Sequence, residues 1–301
     1  MWCCIETSCD GCGTTGSKPM NASQDAVTTA CATALVIAGS DSSGCAGLQA
    51  DLRALDALGV HGLSVVTLVT ARGRRGVKKV DPLRSDLVRA QLAAATDTGL
   101  PAAVKVGALG NAAVVEIVAD ALRGMGPLPV VLDPVITPVQ GKTLLDESGF
   151  AALVRELVPL VGLLVPNREE AVRLVGKPVS TARQVKSACQ ALVGMGAKAV
   201  LLKGGHFEGS DCIDVLYDGS DFVELRVARR TLPPMLGLGC ALSALITGEL
   251  ALGTPLIEAA ARAHAVVQRA VARPRMLANG IASPGDLRVA VDAQRSEASG
   301  D

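Results

Sequence analysis

The chain has 301 residues, 49% hydrophobic and 19% charged, with 29 Lys and Arg balanced by 29 Asp and Glu, a composition that argues against disorder and against a dedicated polyanion-binding module. One Trp, one Tyr and three Phe are too few for the stacking platforms of single-strand nucleic-acid binders, so no nucleic-acid partner is expected. No membrane is expected either: the apolar stretch between Glu156 and Asn167 holds ten residues, two of them proline, short of the roughly 18 needed to span a bilayer.

Residues 1–32 have no basic start, no apolar core and no small-residue cleavage site, so they do not read as a secretory signal, and a cytoplasmic protein is expected. Five of the nine cysteines (Cys31, Cys45, Cys189, Cys212 and Cys240) are scattered, which suits reduced thiols better than a disulfide framework. The other four, Cys3, Cys4, Cys9 and Cys12, cluster. Cys4, Cys9 and Cys12 have the spacing of three ligands of a plant-type iron–sulfur site, but no fourth ligand is evident. Residues 1–32 are expected to be a disordered cysteine-containing extension, with Met20 an alternative start.

From Ala34 onward, short β-branched runs alternate with amphipathic stretches. Leu35–Ile37 reads as a strand, Gly47–Leu58 as a helix and Leu63–Val69 as a strand. A helix near Leu83–Ala95, a strand at Ala103–Val106, a helix at Ala112–Arg123 and a strand at Val130–Leu132 follow, the last stopped by Asp133-Pro134. After a helix around Glu147–Val158 and a strand at Leu163–Val165, Asn167 caps a helix whose first turn carries Glu169 and Glu170. A helix at Ala182–Met195 leads into the strand Ala199–Lys203. Cys212–Tyr217 and Phe222–Val227, separated by Asp218-Gly219, read as a hairpin, and helices from Gly239-Cys240 and over Leu256–Val271 close the series. The expected architecture is one three-layer α/β/α domain over residues 33–290 with a central, mostly parallel sheet, and a flexible tail at 291–301. Ligands of such sheets bind outside the carboxyl ends of the strands.

Three strand ends and one helix start carry suggestive residues. The first strand runs into Gly39-Ser40-Asp41-Ser42-Ser43-Gly44 and a helix, a turn where backbone can approach a small ligand. It is neither a dinucleotide fingerprint nor a P-loop, and a tight turn without ligand reads equally well. Gly237-Leu238-Gly239-Cys240 opens another helix; converging N–H groups there form an anion hole, and a cysteine in that turn is expected to have a lowered pKa. The alternative is a small residue packing the helix on the sheet. Lys203 follows a strong strand, where an ammonium can meet phosphates, though a lysine at a strand end is more often solvated. Asn167 and Glu170 fall on one side of a helical turn, either to hold a Mg²⁺-bound water or merely to cap the helix. His61, His206 and His264 show no paired zinc-ligand spacing.

Taken together, residues 38–52 (Ala-Gly-Ser-Asp-Ser-Ser-Gly-Cys-Ala-Gly-Leu-Gln-Ala-Asp-Leu), 105–109 (Lys-Val-Gly-Ala-Leu), 132–135 (Leu-Asp-Pro-Val), 165–171 (Val-Pro-Asn-Arg-Glu-Glu-Ala), 202–206 (Leu-Lys-Gly-Gly-His) and 237–244 (Gly-Leu-Gly-Cys-Ala-Leu-Ser-Ala) resemble the hydroxymethylpyrimidine/phosphomethylpyrimidine kinases of thiamine synthesis. These belong to the ribokinase-like superfamily, and the resemblance runs from Ala34 to Val271 in matching order. It implies a ribokinase-like fold, a homodimer, and ATP- and Mg²⁺-dependent phosphorylation of the hydroxymethyl group of 4-amino-5-hydroxymethyl-2-methylpyrimidine or, in a second transfer, of its monophosphate. By the same resemblance Gly237, Gly239 and Cys240 form the anion hole, with Cys240 as the catalytic cysteine. Lys203 touches ATP phosphates, Asn167 and Glu170 arrange Mg²⁺ and its waters, and Gly39, Asp41 and Val135 line the pyrimidine pocket.

The chain departs from the family at several of these places. Where a glutamine usually pairs with the pyrimidine edge stands Arg72, which donates but cannot accept, so a lost pairing costs about 1–3 kcal/mol unless another acceptor substitutes. The usual threonine of the glycine-rich turn is Leu238, the preceding histidine is Leu236, the pocket methionine is Ala108, and a lysine is replaced by Val139. Two alternatives stay open: a kinase for another hydroxymethyl heterocycle such as pyridoxine, and a non-catalytic ligand-binding protein on the same fold.

Overall fold

Leu35 and Ile37 on one side of the first strand, and Ala34, Val36 and Ala38 on the other, are all buried, so the sheet they begin is covered on both faces. The computed structural model describes residues 31–97, 99–136, 141–204, 210–277 and 280–299. The Cys3, Cys4, Cys9 and Cys12 cluster, Val139 and His206 lie outside the described residues.

β1 (Thr33–Asp41) is followed by α1 (Gly47–Leu58), β2 (His61–Gly73), β3 (Gly76–Pro82), α2 (Ser85–Thr96), β4 (Ala103–Val106), α3 (Ala112–Met125) and β5 (Val130–Leu132). Then come α4 (Glu147–Ala152), β6 (Leu163–Leu164), α5 (Arg168–Val175), α6 (Ala182–Gly194), β7 (Val200–Leu202), β8 (Asp211–Tyr217) and β9 (Phe222–Ala228). The series closes with α7 (Leu238–Ala251), α8 (Leu256–Val271), β10 (Arg275–Met276), β11 (Ala282–Ser283) and α9 (Leu287–Ser299). The nine-stranded sheet has the order β3-β2-β1-β4-β5-β6-β7-β8-β9. The six strands from β2 to β7 in that order are parallel, with β3 added antiparallel at one edge and the β8–β9 hairpin at the other. One layer packs side chains of α2 through α6 on the sheet; the other packs α1, α7, α8 and α9.

Chain order reverses at β1: α1 carries the chain to β2 on one side, and α2 returns it to β4 on the other. That reversal opens a crevice at the carboxyl ends of β1 and β4, where this class of sheet binds ligands. α7 is buried nearly all round, from Ala241 through Glu249, and its less buried first turn faces the crevice.

Several local features differ from expectation. β2 extends past Val69 to Gly73 and turns back into β3, a hairpin with no counterpart in the expected elements. The helix expected over Glu147–Val158 is α-helical only to Ala152; Pro159 has no N–H to offer, and the chain loosens into a π turn at Leu153–Leu157 and a 3-10 turn at Val158–Leu160. Residues 291–299, expected as a flexible tail, continue α9, which buries Ala290 and Val291 in the second layer.

Candidate active site

The strand ends and the start of α7 enclose a cavity of about 560 Å³. Gly39, Asp41, Arg72, Val135, Asn167, Glu170, Lys203, Gly237, Gly239 and Cys240 all line it, so residues spread over 200 positions of sequence meet in one place. Leu68, Ala108, Leu144 and Val135 make an apolar wall. Such a surface suits a flat ring.

Gly237 caps α7 with φ 83°, and a Cβ there would lie 1.9 Å from the Cys45 carbonyl oxygen, so only glycine fits. The Ala241 N–H donates to the Gly237 carbonyl at 2.8 Å. The N–H groups of Leu238, Gly239 and Cys240 therefore precede the helical ladder and have no intrahelical acceptor. They leave three backbone donors at the start of α7, a geometry able to receive an anion and independent of the side chain at position 238. Gly239 matters by closeness: a Cβ would stand 3.2 Å from Lys203 Nζ. The lysine ammonium thus lies directly against the backbone of that turn.

Lys203 is not a solvated surface charge. Its Nζ donates to Asp133 Oδ1 at 2.8 Å, and its side chain is 16% exposed. Burial alone would depress its pKa, but Asp133 and Glu170 outweigh that and raise it, so it remains an ammonium. Asp133, buried at the end of β5, also accepts from Ser243 Oγ at 3.3 Å. Burial pushes its carboxyl up, but Lys203 and Lys105 pull it below the ordinary value, so it stays ionised.

Asn167 and Glu170 hold one another. Asn167 Oδ1 accepts from the Glu170 N–H and Glu170 Oε2 accepts from the Asn167 N–H, both at 2.8 Å, a complete capping box on α5. Burial drives the Glu170 carboxyl up to about 7, opposed by Lys203 and reinforced by Asp133.

Cys240 departs from expectation. Instead of a lowered pKa, its thiol is pushed up to about 12, by burial first and then by Asp51; Lys105 opposes, and Asp133 raises it further. Desolvation and the two carboxylates outweigh Lys105 and the hydrogen bond from the Gly47 backbone, and so favour the neutral thiol at physiological pH.

Near the first turn of α7, Lys105 of β4 donates to Asp51 of α1 at 2.7 Å, with side chains 1% and 0% exposed. Burial raises Asp51 to about 6 against the pull of Lys105, and Asp51 Oδ1 has no hydrogen-bond partner among the described residues. Both residues line the cavity, yet neither was assigned a role from sequence. The available signal was a lysine inside the otherwise apolar strand Ala103–Val106. A charge there requires a buried partner.

On the opposite wall, Arg72 Nε donates to Asp41 Oδ2 at 2.5 Å, with both side chains at most 6% exposed. Asp41 Oδ1 accepts from the N–H and the hydroxyl of Ser43. The register of β1 against β2 slips beside Gly39, and that of β2 against β3 slips at Arg72, so two bulges aim this pair into the cavity.

Comparison with known proteins agrees with this arrangement. Residues 41–284 match the family model described as phosphomethylpyrimidine kinase. A hydroxymethylpyrimidine/phosphomethylpyrimidine kinase of Rhizobium meliloti (strain 1021) is 41% identical over 241 residues, covering 80% of this chain and 90% of that one. Among solved structures, an ADP complex of Bacillus subtilis pyridoxal kinase superposes with a TM-score of 0.81 at 31% identity, covering 86% of this chain and 99% of that one. A phosphomethylpyrimidine kinase of Clostridium difficile 630 gives 0.71 at 32% identity, over 80% and 99%. With the fold, the switch-point cavity and these matches in hand, the chain belongs to the phosphomethylpyrimidine kinase family, on a ribokinase-like α/β fold.

Proposed function

We propose that the protein transfers the γ-phosphoryl group of ATP to the hydroxymethyl group of 4-amino-5-hydroxymethyl-2-methylpyrimidine, or to its monophosphate, in thiamine biosynthesis. One observation carries the reading: the free N–H groups of the α7 turn, the Lys203 ammonium and an apolar, polar-edged ring pocket open into the same cavity. A bond forms from the hydroxymethyl oxygen to the γ-phosphorus as the bond to the ADP oxygen breaks, and the hydroxyl proton is released to water. The loose transition state of such transfers asks for positioning and charge stabilisation more than for covalent help. Leu238, Gly239 and Cys240 supply backbone donors to the moving phosphoryl group, and Lys203 supplies a fixed positive charge. Cys240 acts through its N–H and a neutral thiol.

Magnesium belongs to the proposal. Among the described residues no group of three metal-ligating side chains stands together, whereas Asp133 and Glu170 present two buried carboxyls on one wall. This donor set suits a hard cation that keeps its waters and arrives on phosphate oxygens. When bound, Mg²⁺ would offset phosphate charge. A cytoplasmic location goes with the reading, supported by the five free thiols among the described residues, as does a homodimer, which sedimentation of the purified protein would test. No helix among the described residues is long and apolar enough to cross a membrane.

The test is incubation with Mg-ATP and a panel of pyrimidine and pyridine alcohols, with products identified by mass spectrometry. The expected product is the phosphorylated aminopyrimidine. Turnover of pyridoxine alone would move the substrate, and ligand-induced thermal stabilisation without any product would make this a binding protein.

A further inference from the structure

The Asp41–Arg72 pair is an unusual element of the cavity wall. Both side chains are at least nine-tenths buried, yet both reach the cavity. Arg72 uses only Nε in pairing with Asp41, and its terminal nitrogens have no hydrogen-bond partner among the described residues. Guanidinium is a rigid planar fork, so an Nη donor must lie next to Nε and therefore beside the accepting oxygen. On the carboxylate, Oδ1 is filled by the Ser43 N–H and hydroxyl, whereas Oδ2 accepts from Arg72 alone. A carboxylate oxygen has room for a second donor. The wall thus presents an acceptor and a donor side by side, which neither residue offers alone.

We propose that Asp41 and Arg72 act together as one recognition edge for an aminopyrimidine, Asp41 Oδ2 accepting from the exocyclic amino group and an Arg72 Nη donating to the adjacent ring nitrogen. The inference deepens the proposed function and rests on its ring substrate. It answers a specific difficulty: a donor-only arginine cannot receive an amino group, and Asp41 supplies the missing acceptor while keeping the guanidinium oriented. The neighbouring walls agree with a ring lying between them, because Leu68, Ala108, Leu144 and Val135 are apolar and leave in-plane polar recognition to this pair. An exchange of the amino group for an oxo group reverses the donor and acceptor pattern of the ring edge. It places oxygen against Asp41 and an N–H against Arg72, so the edge should reject it.

Calorimetry without ATP measures the wild-type affinity for the 4-amino ring, its 4-oxo analogue and the ring lacking the substituent. KM and kcat are measured with Mg-ATP, and melting temperatures check folding. The wild type should bind the 4-amino ring about tenfold or more tightly than either analogue. Asp41→Asn should raise its Kd and KM about tenfold with little change in kcat, and should erode the preference over the oxo ring. In an Arg72→Gln background one amide carries both donor and acceptor, so adding Asp41→Asn should change the 4-amino over 4-oxo affinity ratio less than about threefold; residues in contact couple in stability whatever their role, so the coupling is read in this ratio and not in melting temperature. Equal wild-type affinity for the three rings, or additive losses of that ratio in the double variant, would overturn the proposal even if Asp41→Asn melts early. Absence of phosphorylated product with the ring preference intact would instead fault the proposed function and leave the edge standing.

Discussion

Glu170 lets the tension between stability and site chemistry be measured. Its carboxyl is 6% exposed and keeps its proton up to about pH 7, against an ordinary 4.5, chiefly because burial penalises the charge. That rise corresponds to about 3 kcal/mol. Between those two values the folded chain holds a proton that the unfolded chain releases. The contribution of Glu170 is therefore complete below pH 4.5 and is lost as pH rises through 7. Glu170→Gln keeps an oxygen to accept the Asn167 N–H and so the capping box, but the Ile136 N–H that also donates to the carboxyl must share that oxygen or lose its acceptor, an offset that does not depend on pH. Urea unfolding of both proteins from pH 5 to 8 should show the stability of the variant relative to the wild type rising by about 2–3 kcal/mol across that range, at unchanged m-value. Turnover with Mg-ATP should fall, because the wall loses a carboxylate. Parallel stability profiles, or a variant whose relative stability falls as pH rises, would refute the assignment of Glu170 as a charge held at a cost for its site.

Gly237→Ala forces φ 83° on an L-residue and drives a Cβ onto the Cys45 carbonyl; the start of α7 must shift, with a loss of about 2 kcal/mol or more in urea unfolding and a sharp fall in kcat/KM. Near-wild-type values of both would mean that the turn is not rigid. For Cys240, a thiol pushed up to about 12 should alkylate slowly, so iodoacetamide at neutral pH followed by mass spectrometry should mark exposed Cys31 well before Cys240. Cys240→Ser should leave the shape of the pH–rate profile unchanged; a fast-reacting Cys240 or a lost alkaline limb would restore the thiolate.

Element order was legible wherever periodicity was sustained. Gly47–Leu58, Ala103–Val106, Val130–Leu132 and Leu256–Val271 have the same limits in sequence and structure. The β2–β3 hairpin was not, since its turn, Gly73-Arg74-Arg75-Gly76, follows the strand end Thr70-Ala71-Arg72-Gly73, which has no apolar–polar alternation to mark it as a strand. α9 was overlooked although Leu287, Ala290 and Val291 have i, i+3, i+4 spacing. At the site, glycine-rich turns and lysine-ended strands pointed to the right neighbourhood. What they could not reveal was pairing across the sheet: Lys105 with Asp51, Lys203 with Asp133 and Arg72 with Asp41 are separated by 54, 70 and 31 residues. Burial first, and then Asp51 and Asp133 brought in from other elements, raise the Cys240 thiol, influences that its own helix turn does not display.

The central claim is that one cavity brings a phosphoryl donor onto a ring alcohol. Its most direct test is transfer of label from γ-labelled ATP in the presence of magnesium and 4-amino-5-hydroxymethyl-2-methylpyrimidine, comparing the wild type with Lys203→Met. The account expects label on the hydroxymethyl oxygen in one-to-one ratio with ADP, and a loss of about 100-fold or more in the variant. Label that appears only as inorganic phosphate, or a Lys203→Met protein that transfers it as fast as the wild type, would contradict it.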